Sequence, residues 1–182
     1  MRNSDSAHPD STQASEDAGH ITMRRATTAD AVAVRELTRA AYAKWVPNLG
    51  REPRPMTADY DAALREHLVD LLHVGGEAVA LIEMAPTADH LLIVNVAVVP
   101  AQQGRGHGRA LMAHAEEVAR SLNLREVRLY TNALFTENLR LYNRLGYRVD
   151  REEQHPQFGV AVHMSKCLGA AADEHSSSRT SP

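Results

Sequence analysis

Apolar and polar positions alternate along this chain in two rhythms, and the switches between them outline its elements. "ITMRRAT", from Ile21, is short and mixed and reads as a first strand. Val34, Leu37 and Ala41 then recur at helical spacing, so "AVAVRELTRAAYAKW" reads as a helix capped by Asp30 or Thr28. Three prolines and a glycine make "VPNLGREPRPM" a loop. In "TADYDAALREHLVDLLHV" Leu64, Leu68, Leu71 and Leu72 again fall at helical spacing, which predicts a second helix through this segment. "GGEAVALIEM" reads as a strand after a glycine turn, and "APTADH" as the next turn. "LLIVNVAVV" is almost wholly apolar, the composition of a central strand buried on both faces.

A glycine-rich loop follows, and after it Leu111, Ala115, Val118, Ala119 and Leu122 form a helical stripe. "EVRLYT" sets Val127 and Leu129 against Arg128 and Tyr130 with a period of two, a strand. "TENLRLYNRLG" is a helix closed by Gly146, with Leu139 and Leu145 expected on its buried side. "YRVDREEQ" and "GVAVHMSKCL" read as a closing pair of strands. The order is mixed αβ and ends strand–helix–strand–strand. Residues 1–20 and 171–182 are rich in Ser, Asp, Ala and Thr and poor in large apolar side chains, so both are expected to be disordered tails around one domain over 21–170.

Composition removes several function classes. The net charge is -3, and the first tail alone holds Arg2 against Asp5, Asp10, Glu16 and Asp17. The domain itself is therefore near neutral, which does not fit a nucleic-acid surface. The single cysteine, Cys167, excludes a disulfide framework and argues against a cysteine metal site. None of the ten histidines forms H-E-x-x-H or an i, i+4 pair, so no metal is expected. No apolar run is long enough to span a bilayer, and the N-terminus has no apolar signal core, so neither a membrane partner nor secretion is expected, and a cytoplasmic location is.

The chemistry concentrates in Gln103-Gly104-Arg105-Gly106-His107-Gly108, which lies between a strand and a helix. Helix N-termini and successive loop N–H groups favour phosphate, and glycines let the backbone come close. Arg105 and Arg109 add charge at the rim. No lysine follows in P-loop register, and the third glycine of a dinucleotide fingerprint would fall on Arg109 or Leu111. What fits is [Q/R]-x-x-G-x-[G/A], as Gln103, Gly106 and Gly108.

That pattern resembles the acetyl-CoA signature of the GCN5-related N-acetyltransferase (GNAT) superfamily. The resemblance extends to "TENLRLYNRLGY", with Asn138 and Tyr142 four apart on one helix face and Gly146-Tyr147 ending it. It implies a GNAT fold of mixed α/β (α+β) class: a central, mixed, mostly antiparallel, twisted sheet flanked by about four helices. It implies an enzyme that transfers an acetyl group from acetyl-CoA, its cosubstrate, to a primary amine of a small molecule or peptide, by direct attack in a ternary complex. The pyrophosphate would rest on residues 103–109 (Gln103, Gly104, Arg105, Gly106, His107, Gly108 and Arg109), with Asn138 and Tyr142 also at the cofactor. The pantetheine arm would pair with "NVAVV", along Val96, Ala97 and Val98, where the strand is splayed at a bulge. A backbone N–H near Val96 would stabilise the oxyanion, and the Tyr142 hydroxyl would protonate the leaving thiolate.

One position departs from the pattern. Many relatives carry a Glu just before the bulge; here it is Val94, which takes no proton. Glu83, His107 and His163 are the alternatives in the neighbourhood, Asn95 could only orient water, and an acceptor arriving neutral needs no base. The acceptor side is expected around the first two helices, where Tyr42, Trp45, Met56, Asp59 and Tyr60 gather aromatic faces and a carboxylate suited to a cation, with Glu83 as a further contact. Packing and turn capping account for Tyr42, Asp59 and Tyr60 equally well. An amine-bearing acceptor and a homodimer are the partners expected. The missing Glu also fits a different class, a non-catalytic acyl-CoA-binding or regulatory module on the same fold.

Overall fold

The protein was analysed as a computed structural model, which describes residues 20–155 and 159–169. The tails expected over 1–20 and 171–182 lie outside these residues, His20 apart. Seven strands form one mixed sheet in the order β1-β2-β3-β4-β5-β7-β6. They are β1 (Ile21–Arg25), β2 (Leu68–Val74), β3 (Glu77–Pro86), β4 (Leu91–Val98), β5 (Glu126–Asn132), β6 (Arg148–His155) and β7 (Gly159–Cys167). Four helices accompany it: α1 (Ala31–Tyr42), α2 (Tyr60–Glu66), α3 (His107–Ser121) and α4 (Thr136–Arg144). The segment expected to be a loop also holds a one-turn helix at Val46–Leu49 and a 3-10 turn at Arg54–Thr57.

The chain divides into two compact units. The first takes residues up to Arg65, then Val69–Leu81 and Ala97–His107. Its first strand pairs antiparallel with β2, from Ile21↔Val74 to Arg25↔Asp70. The carboxylate of Asp70 is buried, and Arg25 Nε lies 2.5 Å from its Oδ1, so the charge is answered where it is desolvated.

The second unit takes Glu66–Leu68, Ile82–Val96 and the residues from Gly108 on. Here β5 pairs antiparallel with β7 along its whole length, and β7 with β6. Strand β6 closes the sheet's order and is exposed along nearly all of "RVDREEQH". Helices α3 and α4 meet closely: a Cβ placed on Gly108 would lie 3.2 Å from Leu141 Cδ2.

Two expectations need correction. The second helix ends at Glu66, and Leu68–Val74 is a strand. Val69, Asp70, Leu71 and Leu72 are all buried, as in an interior strand covered on both faces. Such a run has no two-residue alternation, so its leucines imitate a helical stripe. Strand β4, in turn, is not buried on both faces. Leu91, Ile93, Asn95 and Ala97 are buried, and the residues between them are half-buried.

Candidate active site

Strand β4 runs parallel to β5 over three residue pairs, Leu91↔Val127, Leu92↔Arg128 and Ile93↔Leu129. Beyond that ladder β4 continues to Val98 and β5 to Asn132. The stretch past the ladder therefore begins at Val94 and includes Asn95 and Val96, the region where the pantetheine arm is expected.

The other side of β4 follows from its hairpin with β3. Thr87 N–H donates to His90 C=O at 2.9 Å and closes a two-residue turn. Val99 N–H donates to Val79 C=O at 2.9 Å. Between these bonds β4 uses one residue more than β3, so β4 carries a one-residue bulge. Its buried and half-buried positions alternate strictly from Leu91 to Val98, and Val99 breaks the alternation. The bulge thus falls at the Val98–Val99 end, and before it Glu83 stands directly opposite Val94.

The glycine loop is held to that bulged end. Gln103 Nε2 donates to Val98 C=O at 2.9 Å, and Gln103 Oε1 accepts from Lys44 Nζ at 3.0 Å. Gln103 N–H bonds Pro100 C=O, so this residue braces the loop and its own amide is spent inside the turn. Gly104 and Gly106 have φ of +77° and +90°, the left-handed region that glycine tolerates, with open space where a Cβ would be. His107 opens α3, buried, with its Nε2 lacking a partner. Arg105 and Arg109 are exposed. A helix N-terminus, two positive-φ glycines facing open space and an orphaned imidazole nitrogen fit an anionic group.

Helix α4 is ended by a Schellman cap. Tyr147 N–H bonds Tyr142 C=O at 3.0 Å, Gly146 N–H bonds Asn143 C=O at 3.1 Å, and Gly146 has φ +86°. The cap sets the Tyr147 ring near that of Tyr142, tilted to it by 59° with centroids 6.2 Å apart. Tyr142 is buried, and burial pushes its hydroxyl up to about 12. Burial and the Glu116 carboxylate raise Tyr147 further, and its hydroxyl makes no well-formed hydrogen bond. Asn138 is half-buried one turn before Tyr142. Leu139 and Leu145 are half-buried rather than core.

The expected acceptor residues separate. Tyr60 is fully buried, and its hydroxyl donates to Pro55 C=O at 2.7 Å and lies 3.1 Å from Thr38 Oγ1. Asp59 caps α2, its Oδ1 accepting from the N–H groups of Asp61 and Ala62. Both carry structural loads. Tyr42 and Met56 are buried, and the face of Trp45 is covered by Lys44 Nζ, 4.9 Å from the ring centroid. His163 lines a cavity of about 440 Å³ with Tyr130, Arg128 and Arg151, and its Nε2 is 3.2 Å from Glu153. Asn95 is buried on β4. Glu83 is buried on β3, with Oε1 2.6 Å from Nδ1 of His67. His67 carried no sequence signal. It lies inside the segment that reads as continuous helix, and its partner is distant in sequence.

A mixed seven-stranded sheet whose parallel pair gives out after three residues, in a chain that also carries a braced glycine loop, defines an acetyltransferase fold. The chain is similar in structure to the ribosomal-protein-S18-alanine N-acetyltransferase of Escherichia coli, at TM-score 0.70 and 20% identity over 86% of this chain and 99% of that one. It is similar to the PaiA N-acetyltransferase of Thermoplasma acidophilum in complex with coenzyme A, at 0.71 and 16% over 82% and 99%. It is also similar to a GNAT acetyltransferase of Elizabethkingia anophelis with acetyl-CoA bound, at 0.63 and 16% over 81% and 98%. No curated protein matches the chain in sequence. The model of the acetyltransferase (GNAT) family matches residues 32–147, and the chain belongs to that family. No helix among the described residues is long and apolar enough to cross a membrane.

Proposed function

We propose that the protein is an acetyl-CoA-dependent N-acetyltransferase whose acceptor is a primary amine of a small molecule or peptide, attacking directly in a ternary complex. The observation that carries this reading is the short β4–β5 ladder, which ends at Ile93↔Leu129 while both strands run on. The coenzyme A complex of the Thermoplasma acidophilum protein and the acetyl-CoA complex of the Elizabethkingia anophelis protein support acyl transfer from this cosubstrate.

The amides of Gly104 to Gly108 and the N-terminus of α3 hold the pyrophosphate, with Gln103 keeping the loop in place through Val98. Val96 supplies the backbone N–H for the oxyanion, and Ala97 and Val98 continue the strand edge that receives the pantetheine arm. Asn138 and Tyr142 share a helix face, and the Tyr142 hydroxyl protonates the departing thiolate. We also propose a cytoplasmic location.

The test is thiol release from acetyl-CoA over a panel of primary amines, amino acids and peptides, corrected for the exposed Cys167 of the chain itself. Acetylation of one amine is the expected result. Val94, at the position where the family resemblance implies a Glu in many relatives, favours one other reading, a module that binds acyl-CoA without catalysis. Tight acetyl-CoA binding with no acceptor in the panel would establish that reading instead.

A further inference from the structure

A primary alkyl amine is almost wholly ammonium at neutral pH, with roughly one part in a thousand free base. Val94 accepts no proton, yet the residue directly across the sheet from it does. Glu83 stands opposite Val94, and opposed residues on neighbouring strands point to the same face with Cβ atoms about 5 Å apart. Glu83 therefore offers a carboxylate one strand over from Val94, on the same face. It is not used alone: its side chain is 6% exposed and held 2.6 Å from Nδ1 of His67, whose side chain is 30% exposed. A buried carboxylate that takes Nδ1–H fixes the ring tautomer and leaves Nε2 as an acceptor.

We propose that His67 is the proton acceptor of the reaction and Glu83 its positioning residue. The inference rests on the N-acetyltransferase reading above. His67 Nε2 takes one proton from the acceptor ammonium, and the ring becomes imidazolium against the Glu83 carboxylate. The neutral amine then attacks the thioester carbonyl carbon. The C–N bond forms, the C–S bond breaks, and the sulfur takes a proton from Tyr142. The second proton of the nitrogen returns through solvent to Tyr142, and His67 releases its own to bulk water. Net, one ammonium and one thioester give one amide, one thiol and one proton.

His163 is the competing base, and its surroundings are weaker. Its Nε2 contact with Glu153 is 3.2 Å, and that carboxylate is 56% exposed. An exposed carboxylate orients a ring poorly.

The experiment uses the full chain, two acceptors and four proteins: wild type, His67→Ala, Glu83→Gln and His163→Ala. The acceptors are a simple alkyl amine that the wild type acetylates and its fluorinated counterpart, already largely neutral at the assay pH. Acetyl-CoA affinity is read by calorimetry and folding by circular dichroism. The expected result for His67→Ala is a loss of turnover on the alkyl amine of about a hundredfold or more, a much smaller loss on the fluorinated amine, and unchanged acetyl-CoA affinity. Glu83→Gln, which keeps the shape and the fold, gives a smaller loss of the same selectivity. Equal losses on both amines, no loss, or the selective loss appearing in His163→Ala instead would overturn the assignment and leave the N-acetyltransferase reading standing. A wild type that binds acetyl-CoA and acetylates no amine would overturn that reading, and this assignment with it.

Discussion

The side-chain amide of Gln103 donates to the carbonyl of Val98 at 2.9 Å, at the bulged end of β4. One residue of the glycine motif therefore works through the strand. Replacing Gln103 by Leu keeps its bulk and removes the donor. Acetyl-CoA affinity should fall about fivefold, the scale of one hydrogen bond of about 1 kcal/mol that holds the loop. Calorimetry measures it, and a melting temperature within a few degrees of wild type shows that the loss is local.

Gly106 and Gly108 should separate by the property each variant loses. At Gly106 a Cβ meets nothing within 4 Å, so the cost of Gly106→Val is backbone conformation at φ +90°, about 1–3 kcal/mol, and acetyl-CoA binding should be lost with it. At Gly108 the added Cβ meets Leu141. Gly108→Leu should lower the unfolding free energy by about 1–3 kcal/mol through overpacking of α3 on α4, which urea denaturation reads directly.

Tyr142→Phe should reduce turnover at least tenfold while acetyl-CoA affinity stays within about twofold. The pH behaviour has a definite sign. The acid must be protonated, and burial holds its hydroxyl at about 12 against the ordinary 10. The rate profile should therefore show no falling alkaline limb from this group below about pH 11. Stability has the same sign. The contribution from burying neutral Tyr142 is complete below pH 10 and is lost as pH rises from about 10 to about 12. Denaturant midpoints across that window, for wild type and Tyr142→Phe, isolate it.

Tyr60→Phe and Asp59→Ala test whether the aromatic–acidic cluster is structural. Each should cost about 1 kcal/mol or somewhat more, the first by leaving Thr38 and the Pro55 carbonyl without the hydroxyl, the second by removing the cap of α2. The KM for any acceptor amine should not change in either variant.

Much of this was legible in the sequence because it is local. The Gln103–Gly108 loop, the strand before it and the Tyr142-to-Tyr147 helix end are each written within a dozen residues. Leu68–Val74 was not legible, because an interior strand lacks the alternation that marks strands, and no glycine or proline separates it from α2. The His67–Glu83 pair was hidden for a related reason. With β2 read as helix, His67 has no strand end to sit on. Glu83 shows its relation to Val94 only when residues are counted outward from the turn at Thr87–His90. The acceptor cluster poses a different difficulty. Tyr and Asp serve as packing and capping groups in the same sequence contexts in which they bind cations, and only the partners found for Tyr60 and Asp59 distinguish the two uses.

Strand β6 lies last in the sheet's order, and a terminal strand is a template on which a second chain can build. "RVDREEQH" answers that hazard with charge: Arg148, Asp150, Arg151, Glu152 and Glu153 are all exposed along it. A further strand added there would have to strip water from each of them. The sheet thus ends where growth into a fibre is least favourable, a safeguard written into the charges of the strand itself.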